Sequence, residues 1–116
     1  MDIHLKRVYD DPSPDDGARV LVDRLWPRGV SKERAQLSLW LKEIAPSDEL
    51  RKWAHGDDFT FDELRRRYVA ELEGSPGPVE ELLSLAGQGR VTLLYALRDE
   101  EENHAVVLRD FLLARG

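Results

Sequence analysis

Apolar residues form two compact blocks far apart in the chain, and between them they recur at helical spacing. The first block, "ARVLVDRL" at 18–25, carries consecutive Val20, Leu21 and Val22. The second, "RVTLLYAL" at 90–97, is the most apolar stretch of the sequence. Uninterrupted runs of this length suit strands buried on both faces, as in parallel sheets, whereas a half-exposed strand alternates. Residues 3–10 do alternate, Ile3 and Leu5 against His4 and Lys6, and predict a short strand with His4 toward solvent. Turn-forming residues fill 11–17, "DPSPDDG".

Helical punctuation follows. Ser31 caps a single turn at 31–36, and 37–44 reads as irregular or a short strand. Ser47 is the N-cap of a helix over 47–56 that closes near Gly56. Thr60 and Glu63 have capping-box spacing at the head of 60–74, whose apolar stripe is Phe61, Leu64, Tyr68 and Leu72. Pro78 at the first helical position and Gly87 past the end bracket a helix over 78–89. The last helix runs over 98–116, with Asp99 or Asn103 as its N-cap. Strands with near-continuous apolar character, joined through helices, predict an α/β fold. The expectation is one compact domain over 1–116 with a small, mostly parallel sheet flanked by helices.

Composition narrows the field of functions. The chain has 116 residues and no cysteine, which removes disulfides, thiolate metal sites and a cysteine nucleophile. No apolar run approaches the roughly 18 residues of a membrane span. The start "MDIHLKRVYD" lacks the apolar centre of a secretion signal, so a cytoplasmic protein is expected. A net charge of −6 argues against non-specific nucleic-acid binding, which depends on neutralising phosphates. The "RRR" of 65–67 sits between Glu63 and Glu71 and reads as a solvated helix face. Arginine outnumbers lysine 13 to 4, and its planar fork suits carboxylates and phosphates.

The chemistry gathers where the two apolar strands end. In an open parallel sheet ligands bind outside the carboxyl ends of the strands. The first strand delivers Asp23, Arg24, Trp26 and Arg28; the second delivers Tyr95, Arg98 and Asp99, with Asn103 and His104 just beyond. Parallel strands would bring both sets to one edge. There Arg24 and Arg28 could clamp an anion, with Trp26, Tyr95 and Asn103 shaping the wall. Asp23 and Asp99 could orient the arginines and His104, the one acid–base route that the residues offer. The structural counterpart is an Asp23–arginine pair, a tryptophan lid and a hydrogen-bonded core histidine. Asp23, Asp99, His55 and His104 could be imagined as metal ligands, but no local signature supports this, and neither metal nor cofactor is expected. Glu100, Glu101 and Glu102 would repel an anion from the start of the last helix, which leaves the arginine side of the edge.

Together, "RVLVDRLWPRG", "LWLKEIAPS", "LRKWAHG", "FDELRRRYVAEL" and "VTLLYALRDEEENHAVVLRDFL" resemble the small bacterial YeaO-like proteins, a domain-of-unknown-function family. The resemblance runs over nearly the whole chain in the same order. It implies a compact α/β fold and no established activity. It picks out Arg7, Tyr9, Asp23, Arg24, Trp26, Arg28, Gly29, Trp40, Lys42, Pro46, Ser47, Trp53, Tyr68, Tyr95, Asp99, Asn103 and His104. Where the wider family often has Cys-His-Arg, this chain has Asn103, His104 and Ala105. A mechanism that needs that cysteine or arginine does not transfer.

The leading expectation is a pocket for an anionic small molecule at the sheet edge, with Asp99 and His104 as the catalytic candidates. The rival is a protein-binding module with exposed tryptophans, and a weaker one is nucleic-acid binding through the helix 60–74 arginines.

Overall fold

The computed structural model describes residues 1–116. Four parallel strands lie in the order β1-β4-β2-β3, with β1 Ile3–Arg7, β2 Ala18–Leu21, β3 Leu39–Trp40 and β4 Val91–Tyr95. All five residues of β4 are buried, as its unbroken apolar run requires of a central strand. Leu93 pairs with Leu5 on one side and Val20 on the other. The helices are α1 Lys32–Ala35, α2 Asp48–Ala54, α3 Phe61–Glu73, α4 Pro76–Gln88 and α5 His104–Arg115. The α/β class and the parallel sheet thus follow the reading of the two apolar blocks.

The strand period of two separates the sheet faces. Val20, Val22, Val91, Leu93 and Tyr95 join the larger core with Leu64 and Tyr68 of α3, Leu82 of α4, and Leu108 and Leu112 of α5. Burying each of the leucines stabilises by about 1.5–3 kcal/mol relative to exposure. The opposite face carries a smaller cluster of Val8, Leu21, Val30, Ala35 and Leu94, covered by Trp26 and Trp40. It also carries buried charge. Arg19 pairs with Asp16, donates from Nε and Nη2 to the Ala35 carbonyl, and shares Asp16 with Lys6. Buried ions survive only when paired in this way.

Several boundaries differ from expectation. The β2 strand ends at Leu21 rather than residue 25, although the Val22 amide still reaches the Leu94 carbonyl at 3.1 Å. Beyond that the chain turns, because Pro27 has no amide to donate and Gly29, at φ 78°, reverses direction. Residues 37–44 split into the two-residue β3 and a 3-10 turn. Pro76 rather than Pro78 enters α4 first, and Gly87 lies inside the helix, which runs to Gln88. Thr60 caps α3, but the Glu63 carboxylate binds Arg66 and Arg67 instead of returning to the cap. The helix over 98–116 begins only at His104, with Asn103 as its cap. Asp99 instead organises the preceding turn, accepting from the amides of Glu101 and Glu102. No helix is long and apolar enough to cross a membrane.

Candidate functional site

The ends of β2 and β4 open onto a cavity of about 540 Å³. Asp23, Arg24, Trp26 and Arg28 line it from the first strand end; Ala96, Arg98, Asp99 and His104 line it from the second. Of the two polar sets named from sequence, Asp23, Arg24, Trp26, Arg28, Arg98, Asp99 and His104 line this cavity, and Tyr95 and Asn103 do not. The rest of the wall comes from α2 and the segment after it, with Leu50, Arg51, Ala54, His55 and Phe59, and from Leu64 of α3. Its size falls within the range usual for small-molecule sites, which are mainly apolar with a few fixed polar groups.

Asp23 is the rim's organiser. One oxygen accepts the Ala96 amide at 3.0 Å, and the other lies 2.8 Å from Nε2 of His104. A carboxylate only accepts, so Nε2 carries the hydrogen in this pair. His104 is mostly buried and its ring meets Tyr68 edge-on at a centroid distance of 6.4 Å. The expected Asp99–His104 pairing is corrected accordingly: Asp99 is committed to its own turn, and Asp23 orients the histidine.

Arg24 is turned toward backbone. Its Nε and Nη2 donate to the carbonyls of Pro46 and Ala45, each at 3.2 Å, and Asp48 lies 3.8 Å from Nε. Arg7 does the same on the other side, donating to the carbonyls of Leu97 and Ala96. These arginines shape the rim by holding the chain after each strand. Arg28 and Arg98 are exposed on the cavity wall. Asp23 pairs with His104 rather than with either Arg24 or Arg28.

Trp26 donates from its indole to the Val30 carbonyl at 2.6 Å and packs edge-on against Trp40, whose indole donates to the Asp23 carbonyl. Both rings are half-buried, as is Trp53. Tyr95 and Asn103 lie behind the wall, in the core. Burial, with the Glu100 charge adding to it, pushes the Tyr95 phenol up. Asn103 accepts the Val106 amide and donates to the Asp99 carbonyl, which fixes the start of α5 and so places His104. Asp23, Asp99, His55 and His104 do not gather into a group able to hold a metal ion.

Arg51 belongs to the site although no local pattern marks it. In sequence it looks like the partner of an i,i+3 surface pair with Asp48, which it is at 3.3 Å. Its Nε, however, is buried without a hydrogen-bond partner. Leu50, Ala54 and Phe59 are likewise brought to the wall by the fold alone.

The arginines of α3 are paired, Arg65 with Asp110 and Arg66 and Arg67 with Glu63. Arg66 and then Arg67, by hydrogen bonds, hold the Glu63 carboxyl down at about 2.

The family described as "Inactive DUF488-N3 subclade" matches residues 2–115. The chain is 46% identical over 112 residues to the uncharacterized protein YeaO of Escherichia coli K12, covering 97% of both. It is 44% identical over 113 residues to the uncharacterized protein Rv3073c of Mycobacterium tuberculosis H37Rv, covering 97% of this chain and 95% of that one. No solved structure matches. With strands, cavity rim and a match over nearly the whole length in agreement, the chain belongs to the inactive DUF488-N3 subclade, as a YeaO-like α/β protein.

Proposed function

We propose that the cavity binds a small organic anion with an apolar body, without turning it over. The observation that carries this reading is the meeting of four arginines, Arg24, Arg28, Arg51 and Arg98, with three acids, Asp23, Asp99 and Glu102, around a concave wall whose apolar part includes Leu50, Ala54, Phe59 and Leu64. Arginine supplies fixed, always charged donors, and the apolar wall supplies area. Asp23, Trp26, Asp99 and His104 complete the rim, while Tyr95 and Asn103 support it from behind.

Binding without turnover is favoured by membership of a subclade described as inactive. The acid–base alternative rests on His104. Its Nε2 is engaged by Asp23, so one ring nitrogen is already committed. The partner-surface reading has less support, since two of the three indoles donate to backbone inside the fold. Nucleic-acid binding has less again, because the α3 arginines are neutralised by neighbouring acids.

The test is a thermal-shift series with aromatic and aliphatic carboxylates against their uncharged amides. A ligand at 100 times its dissociation constant stabilises by about 2.7 kcal/mol, a readily measured shift. Acids should raise the melting temperature and amides should not. Ala54→Phe, which fills the apolar wall, should remove the effect, and His104→Ala should keep most of it. If no acid shifts the wild-type protein, the reading is wrong.

A further inference from the structure

Arg51, on the cavity wall, carries one buried donor that no other protein group satisfies. Arg51 Nε is enclosed and has no partner. A buried unsatisfied donor costs about 1–3 kcal/mol, and native structures rarely keep one without a use. Arg28 and Arg98, by contrast, are exposed. The unmet hydrogen-bonding capacity therefore lies on the α2 side.

The surroundings of Arg51 define a charge pattern. Oδ1 of Asp48 lies 3.3 Å from Nη2 of Arg51 and 3.8 Å from Nε of Arg24. Two guanidinium groups thus converge on one carboxylate oxygen. Asp48 itself is largely solvent-exposed, at 64% for its side chain, and so is weakly held. Pro46 and Ala45, whose carbonyls fix Arg24, line the same cavity.

We propose that Arg24 and Arg51 form the anion subsite of this cavity, that the ligand head is a carboxylate, and that Asp48 is an internal competitor which the ligand displaces. This rests on the cavity being a ligand site, as argued above. A carboxylate fits because the two guanidinium groups already hold one, that of Asp48. The body of the ligand lies along Leu50, Ala54, Phe59 and Leu64, so the class is an arylalkyl or branched aliphatic monocarboxylic acid.

Calorimetric titration with phenylacetate, phenylacetamide and inorganic phosphate tests this on the wild-type protein and on Arg51→Gln, Arg51→Lys, Asp48→Asn and Arg98→Gln. Phenylacetate should bind and phenylacetamide should not. Arg51→Gln should weaken phenylacetate by about tenfold or more, the scale of a lost charge-assisted pair. Arg51→Lys should recover part of that loss, because it restores charge without the fork. Asp48→Asn should tighten binding by about threefold, the sign that separates a competitor from a structural support. Circular dichroism and melting temperature report whether each variant is folded, and Arg51→Lys with Asp48→Asn decide the matter if Arg51→Gln is not. Unchanged affinity in both Arg51 variants with loss in Arg98→Gln would overturn the subsite and leave the cavity reading standing. Weaker binding in Asp48→Asn, or phosphate displacing phenylacetate, would overturn the competitor and carboxylate assignments. Absence of binding by any acid to the wild-type protein would overturn subsite and cavity reading together.

Discussion

His104 Nε2 lies 2.8 Å from Asp23 Oδ1, although the two residues are 81 positions apart. The bond ties the first residue of α5 to the chain leaving β2. Because the second oxygen of Asp23 takes the Ala96 amide, one carboxylate joins three separate segments at the rim of the cavity.

Asp23→Ala should therefore cost more than an ordinary surface change. It leaves the Ala96 amide and the His104 ring without their acceptor, for a loss of about 1–3 kcal/mol. Asp23→Asn keeps one acceptor oxygen and should cost less. Urea unfolding gives both values, with a shifted midpoint and an unchanged slope as the expected result.

Tyr68→Phe isolates a single buried hydrogen bond. The Tyr68 hydroxyl donates to the Ile44 carbonyl at 2.6 Å from a fully buried ring. Burial pushes that phenol's pKa upward, with the charges of Glu71 and Asp23 adding to the effect, so it stays protonated and donating. Removing the hydroxyl orphans the carbonyl and should destabilise by about 1–2 kcal/mol in the same urea assay, with the helical circular dichroism spectrum retained.

Acid stability should follow Asp16. Burial pushes its carboxyl up, but the Ser13 amide, Lys6 and Arg19 outweigh burial and hold it below its ordinary value. A depressed folded pKa gives stability that is fully present above the unfolded carboxylate range and is lost as pH falls through the folded value. Arg19→Met removes the most buried of these partners and should destabilise by about 3 kcal/mol near neutral pH. It should also flatten the fall in stability on the acid side. An equally steep acid limb in the variant would show that Asp16 does not contribute there.

Two glycines give a matched pair. Gly17 has φ 65°, and a Cβ there would sit 2.2 Å from the Arg90 carbonyl oxygen, which the Ala18 amide must reach to start β2. Gly29 has φ 78° but open space around the same position. Gly29→Ala should cost about 1 kcal/mol, the conformational strain alone. Gly17→Ala adds a backbone collision and should cost several times as much by melting temperature; equal effects would refute the steric account.

Much of this architecture is legible in the residues. Val20 to Val22 and Val91 to Tyr95 mark the inner strands because continuous burial demands continuous apolarity. Ser31, Ser47 and Thr60 mark helix starts because their side chains satisfy orphan amides. The convergence of Asp23 with His104 follows from strand direction alone. What stays hidden is partner choice. Asp23, Asp99 and two arginines offered several pairings at the rim, and three-dimensional packing selected His104 for Asp23 and a local turn for Asp99. Arg51 is hidden for the same reason: its sequence neighbours describe an exposed pair, and only tertiary packing encloses its Nε. Gly87 misleads because a glycine inside a helix and one just beyond it look alike until the next element is placed.

The strand order has a consequence for synthesis. β1 and β2 do not pair with each other; β1 has no partner but β4, which is made last of the four, and until then β2 has only the two-residue β3. While the ribosome is still extending the chain toward Val91, the earlier strands carry unpaired edges and the valines and leucines around them lack a floor. Nascent chains stopped before that point should be substrates for chaperones, and release of β4 is the event that converts them into protein able to fold.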